Sequence, residues 1–244
     1  MKTNTNITDL NIENLTSLWK MAGTPFNAYT EQAAFSYCSV PGLDWPNRLW
    51  FHQRITRDAL EQALQTVDAG RWVVPHWDIY DQTADDIFVA CGGEKGFEQA
   101  GMSLLLKQPF TGPHTLSFRQ VLTPEDAAAW ATVYPQAFNY RIDASILEHT
   151  WHQLRFYLAF FENTPIGTGI LHCQNGIAGI HGIGVIPEMR RRGFANEIMV
   201  YILNEAIALK ATYATLQASQ MGKGIYVEMG FEEQFQIRNY VFMN

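Results

Sequence analysis

Hydrophobic and polar positions divide the second half of the chain into short segments of two periods. Leu116 to Leu122 reads as a strand. Thr123-Pro124-Glu125-Asp126 then offers an N-cap, a proline at the first helical position and acids in the first turn, so a helix is expected through about Val133. Asp143-Ala144-Ser145-Ile146 starts a second helix reaching Gln153. Phe156 to Phe161 and Ile166 to Cys173 read as hairpin strands around Asn163-Thr164-Pro165. The uncharged run Ile177 to Val185 is a buried strand. After it, Ala195, Ile198, Met199, Ile202, Ala206 and Leu209 recur at three- and four-residue spacing on one buried helix face. A strand at Ala214 to Ala218, a short helix at Lys223 to Met229 and a last strand at Gln236 to Phe242 complete the series.

The first 112 residues are less regular. Thr56 to Val67 is an amphipathic helix with Thr56 as cap, Arg48 to Phe51 and Trp72 to Ile79 read as strands, Phe97 to Gly101 as the close of a helix and Ser103 to Lys107 as a strand. The turn-rich segment Gln108 to Pro113 predicts a boundary, giving an N-terminal α/β domain over 1–112 and a second domain over 113–244. No internal sequence repeat is evident between them.

Arg190-Arg191-Arg192-Gly193-Phe194-Ala195 lies between the 177–185 strand and the helix after it. The first N–H groups of a helix have no partners within it and point outward at the positive end of the helix dipole, so an anion bound there satisfies them. Gly193 permits close backbone approach, Ala195 keeps the next turn open, and three arginines can complement phosphate oxygens. The pattern suits a pyrophosphate. A nucleotide-triphosphate loop would need Gly-Lys-Ser/Thr, which is missing here.

Val185-Ile186-Pro187 followed by Arg190-x-x-Gly193-x-Ala195 resembles the acyl-CoA motif of the GNAT superfamily of N-acyltransferases. Leu216-Gln217-Ala218-Ser219 and then Tyr226-x-x-x-Gly230-Phe231 are similar to a second element of that family, in the same order. The resemblance covers the region from residue 113 onward. It implies an α/β (α+β) GNAT fold, a mixed, mostly antiparallel sheet flanked by helices, with an additional N-terminal α/β domain. That domain is either a degenerate GNAT-like half or an unrelated substrate domain. It also implies direct transfer of an acetyl group from acetyl-CoA, or of another acyl group from its CoA ester, to a primary amine of a small molecule or protein. Cofactor contacts are then expected from Ile183, Gly184, Val185, Arg190, Arg191, Arg192, Gly193, Phe194, Ala195 and Ser219. Tyr226 corresponds to the family tyrosine near the cofactor sulfur, a candidate general acid. His181 matches a histidine that takes part in proton removal in arylalkylamine N-acetyltransferases, a candidate general base. The acidic residue that some members carry two positions earlier is Gly179 here, which weighs against a carboxylate base on this strand.

Other candidates have plainer readings. Glu148, His149 and His152 suit a solvated helix face, Ser219 a helix cap, and the Trp45–Trp50 and His76–Asp78 clusters a core or an acceptor pocket. His52 and His76 lack a third ligand, so no metal is expected. A hydrophobic content of 47% with 13% aromatic residues describes a globular chain, and a formal net charge of -7 argues against nucleic acid as a partner. Cys38, Cys91 and Cys173 are odd in number and widely spaced, reading as buried reduced thiols. With neither a signal-type segment at Met1–Leu18 nor a membrane-length apolar run, a cytoplasmic protein is expected. The resemblance admits a homodimer. The other reading of the whole chain is a non-catalytic acyl-CoA-binding regulatory protein or pseudoenzyme.

Overall fold

The strand-like runs pair into one sheet of eleven strands, seen in a computed structural model that describes residues 6–79 and 84–244. The first part contributes α1 (Ile7–Gly23), β1 (Tyr29–Glu31), β2 (Phe35–Ser39), β3 (Asn47–Phe51), α2 (Arg57–Thr66), β4 (Arg71–Trp77), α3 (Ala84–Ala90) and β5 (Glu94–Leu105). The second contributes β6 (Ser117–Gln120), α4 (Pro124–Phe138), α5 (Ala144–Thr150), β7 (Arg155–Phe161), β8 (Thr164–Gln174), β9 (Ile177–Val185), α6 (Phe194–Ala208), β10 (Tyr213–Ser219), α7 (Lys223–Glu228) and β11 (Glu232–Met243).

The sheet order is β1-β2-β3-β4-β11-β5-β10-β9-β8-β7-β6. Its pairs are antiparallel except β3 with β4 and β9 with β10. The order strand–strand–strand–helix–parallel strand–helix–strand therefore occurs twice, as β1 to β5 and as β7 to β11. The two runs exchange last strands: β11 lies beside β4, and β5 beside β10. The coil around residues 112 and 113 joins β5 to β6, and the sheet crosses that point without a break.

One face of the sheet carries α1, α4 and α5 over a single apolar core to which both parts contribute, Trp19, Trp50 and Trp77 from one and Trp130, Tyr134 and Ile146 from the other. On the opposite face α2 and α3 cover β3 and β4, and α6 covers β8 and β9. Trp130 is fully buried, stacked on Tyr134 at 4.7 Å and edge-on to Phe156 at 5.5 Å.

Capping explains most element starts. Thr123 Oγ1 accepts the Asp126 N–H, Asp143 Oδ1 that of Ser145, and Thr56 Oγ1 that of Ala59. Helix α4 runs past the predicted end at Val133, through Pro135, to a left-handed Asn139. Packing of Tyr134 and Phe138 on each other at 4.4 Å accompanies this extension. The β7–β8 turn falls on Glu162 and Asn163, both left-handed, so β8 begins at Thr164.

Two expectations fail, and one helix was not foreseen. Phe97–Gly101 is strand, because β5 is paired on both edges and Gly101 leaves the space that the Phe235 ring fills; a Cβ there would lie 2.3 Å from it. Helix α1 was not foreseen, since its buried side includes Asn11 and Asn14, which hide the apolar period. Of the three free cysteines only Cys38 is buried; Cys91 is half-buried and Cys173 exposed. Among the described residues no helix is long and apolar enough to cross a membrane. The first five residues of Met1–Leu18 lie outside the described residues.

Candidate functional site

Strands β9 and β10 are parallel neighbours over three residue pairs, ending at Thr215 with Gly179. Both continue, β9 to Val185 along β8 and β10 to Ser219 along β5, without further pairing to each other, so they diverge into a groove. A bulge accompanies the divergence: β9 places two residues between His181 and Gly184 where β8 places one between Ile170 and Thr168. Gly182 takes the left-handed conformation at φ 58°, and Thr168 Oγ1 donates to its carbonyl at 2.9 Å. Beyond the bulge Ile186 N–H donates to Ile166 O at 2.9 Å. By strand alternation the backbone groups of Ile183 and Val185 turn away from β8, into the groove.

From the end of β9 the chain reaches α6 through eight residues that include a 3-10 helix at Pro187–Met189. Arg191 and Gly193 are both left-handed, at φ 61° and 79°, and a Cβ on Gly193 would meet nothing within 4 Å. Helix α6 has no side-chain cap, and its first turn closes only with Glu197 N–H on Gly193 O at 3.2 Å. The N–H groups of Phe194, Ala195 and Asn196 therefore have no carbonyl of their own helix to bond. The groove and this open helix end lie at the two ends of that connection. Together they fit the two unlike parts of coenzyme A: an extended amide arm that pairs like a strand, and a pyrophosphate.

The three arginines separate in role. Arg190 donates from Nε to Val185 O at 3.1 Å and from a terminal nitrogen to Ala137 O at 3.5 Å, tying the strand end to α4. Arg192 lies 4.7 Å from the Phe161 ring centre and 4.9 Å from that of Phe194, with a contact to Met189 Sδ at 3.1 Å. Arg191 and Arg192 are exposed, and among the described residues neither forms an ion pair. Phe194 is buried in the core under α6, where Ala195 also packs. Gly184 has a different task from the expected ligand approach. Its backbone faces β8, and its missing Cβ admits Phe138 and Ala137, which would lie at 2.5 Å and 2.7 Å.

Across the groove, Ser219 Oγ accepts the Gly222 N–H at 3.3 Å in the turn that leads into α7, whose own N-cap, Gly222, has no side-chain cap. Tyr226 lies partly buried on α7, edge-on to Phe231 at 5.9 Å. Burial pushes its phenol up to about 12, so it stays protonated near neutrality.

His181 points to the α1 face, its Nε2 3.4 Å from Asn14 Oδ1. Asn14 in turn donates to His172 O at 3.1 Å, and Gln217 donates to Asn11 Oδ1 at 2.6 Å. Burial, helped by the neighbouring His172, lowers His181 to about 3. The ring is therefore neutral, able to accept a hydrogen bond but with low proton affinity. Asn14 also occupies the space above Gly179, where a Cβ would lie 1.7 Å from its Oδ1; no carboxylate fits at that position while α1 is in place. Sequence reading missed Asn14, Tyr134 and Gln217 as site neighbours. The available signal was Asn11, Asn14 and Ser17, three polar residues at one helical spacing.

The remaining candidates lie elsewhere. His149 bonds Ser145 O at 2.7 Å, His152 accepts from Trp151, and Trp45, Trp50 and Trp77 are core. His52 pairs with Ser36 and His76 with Asp85; among the described residues no three His, Cys, Asp or Glu side chains cluster as a metal site. A cavity of about 850 Å³ beside α1, lined by Ser17, Lys20, His52 and His172 among others, includes no residue of the β9–α6 turn.

Residues 117–231 match the family model described as Acetyltransferase (GNAT) family. No curated protein matches the chain. Among solved structures, a GCN5-related N-acetyltransferase from Kribbella flavida superposes with TM-score 0.72 at 15% identity, over 96% of this chain and 97% of that one. Another from Sphaerobacter thermophilus gives 0.64 at 15%, over 90% and 83%. A tandem GNAT protein from the clavulanic acid biosynthesis pathway gives 0.56 at 11%, over 96% and 95%. These identities speak to fold alone; residues 117–231 match the GNAT family model and have that family's fold, set in a sheet that the preceding strands complete.

Proposed function

We propose that this chain is an acyl-CoA-dependent N-acyltransferase that moves an acetyl group from acetyl-CoA directly to a primary amine. The carrying observation is that the β9/β10 groove opens beside the uncapped start of α6. The bound thioester supplies the activated acyl group. Ile183 and Val185 hold the amide arm along β9, while the N–H groups from Gly193 to Asn196, with Arg191 and Arg192, hold the pyrophosphate. In the overall exchange a C–N bond forms, the C–S bond breaks, one proton leaves nitrogen and one reaches sulfur.

Tyr226 is the hydrogen-bond donor to the departing sulfur and the group through which a proton reaches it; its partly buried phenol stays protonated at neutral pH, although burial makes it a weaker acid. His181 accepts from nitrogen. With its proton affinity lowered to about 3, it cannot deprotonate a free ammonium, so the amine must arrive neutral. Once the C–N bond forms the nitrogen becomes far more acidic, and a weak neutral imidazole suffices. The first part of the chain repeats the strand–helix–strand order of the second, and we read it as a GNAT-like half without a cofactor site. The tandem GNAT protein among the similar folds supports this reading.

The test is acetyl-CoA-dependent thiol release across an amine panel. Thiol release is expected, with kcat reduced roughly 10²-fold in Tyr226→Phe at unchanged acetyl-CoA affinity. Binding without release from any amine would place the chain among non-catalytic acyl-CoA binders instead.

A further inference from the structure

The groove of β9 adjoins a line of side chains that ends in an unpaired positive charge. At the bulge, a Cβ on Gly182 would lie 3.1 Å from Tyr134, so that ring presses on the strand where it opens. Tyr134 shares a hydroxyl–hydroxyl hydrogen bond with Tyr140, their rings edge-on at 5.3 Å. Both hydroxyls are electrostatic neighbours of the Arg48 guanidinium, which comes from β3 in the other half of the molecule. Arg48 is partly buried. It lies 5.5 Å from the Trp19 ring centre and donates to Asn47 O at 3.1 Å.

Among the described residues Arg48 has no carboxylate partner, although arginines elsewhere do: Arg57 with Glu61, Arg119 with Asp126, Arg238 with Asp85. A guanidinium withdrawn from water toward aromatic rings loses hydration that one backbone carbonyl and a ring face only partly replace. The polar groups around His181 on the same face, Asn11, Asn14 and Gln217, are neutral. The line from the bulge to Trp19 thus carries the formal charge of Arg48, in a chain whose net charge is -7. A polycationic acceptor would meet repulsion there.

We propose that Arg48 is a specificity residue for the acceptor: it pairs with a carboxylate on the amine substrate, so the substrate class is an amino-acid-like molecule whose amine reaches β9 while its carboxylate pairs with Arg48. This rests on the acyltransferase reading for the amine but not for the carboxylate. The halves then divide the labour: the second binds the acyl donor, and the first supplies the charge that selects the acceptor.

The experiment uses the full chain and matched pairs, glycine, phenylalanine and glutamate against their α-amides, titrated by calorimetry with coenzyme A present. At least one free acid is expected to bind roughly ten- to hundredfold more tightly than its amide. Arg48→Gln should erase that ratio, and Arg48→Lys should restore part of it. No acid preference in any pair, or a preference that survives in a folded Arg48→Gln, overturns the assignment; the wild-type comparison stands even if the glutamine variant does not fold. Binding needs no turnover, so acid preference without thiol release would count against acyl transfer and leave Arg48 in place. Thiol release without acid preference would do the reverse.

Discussion

The unit β3–α2–β4 and the unit β9–α6–β10 share one topology and differ at the start of the helix. Thr56 Oγ1 satisfies the Ala59 N–H in the first, and Arg57 is committed to Glu61 at 2.7 Å. In the second, left-handed Gly193 leaves the helix end uncapped, and Arg191 and Arg192 face solvent. A cap serves folding by filling hydrogen bonds that a ligand would otherwise fill. Its absence costs about 1 kcal/mol of helix stability and leaves donors free for an anion. One repeat closes its helix start with its own side chain, and the other leaves it open.

The largest expected effect would break the comparison at its base. If both units stand on one core, Trp130→Ala should cost about 3–5 kcal/mol and lower a single melting transition. Separate melting of the two parts would show independent halves. Next, Tyr226→Phe should reduce kcat roughly 10²-fold in initial-rate assays while acetyl-CoA affinity stays within about twofold, confining proton transfer to the second unit. Smaller again, Thr56→Ala should destabilise by about 1 kcal/mol in denaturant melts and leave acetyl-CoA binding unaltered.

The pH response sharpens the contrast on the α1 face. Burial holds His172 and His181 at about 4 and 3 in the folded chain, below their unfolded value near 6.5. The unfolded chain therefore binds more protons in that interval, and their neutral state contributes fully above about pH 6.5 and is lost progressively as pH falls toward 4 and 3. Melting temperature should drop across this window, less steeply in His172→Asn. The same shift removes any rate inflection near pH 6.5 owed to His181, so kcat/KM should rise with the acceptor's own deprotonation.

Much of the second half was legible because its periods are clean and its turns carry their own chemistry. Strand 177–185 appears with its predicted bounds, and α6 begins at Phe194, one residue before the expected start. The open helix end was readable from Arg-Arg-Arg-Gly-Phe-Ala, since a left-handed residue before a helix needs glycine. What stayed hidden depends on contacts distant in sequence. Gly184 proved to be a packing glycine only once Phe138 and Ala137 were seen against it. His181 acquires its low proton affinity from burial beneath a helix 167 residues away, by way of Asn14. The exchange of β5 and β11 between the halves has no local signature at all, which is also why β5 was misread as part helix.

Calorimetric titration of acetyl-CoA into the wild-type chain, an Arg192→Glu/Gly193→Asp variant and Thr56→Ala tests the difference between the units most directly. One molecule bound per chain, lost in the double variant and retained in Thr56→Ala, is the expected result. Two molecules per chain, or binding that survives the double variant, would contradict it.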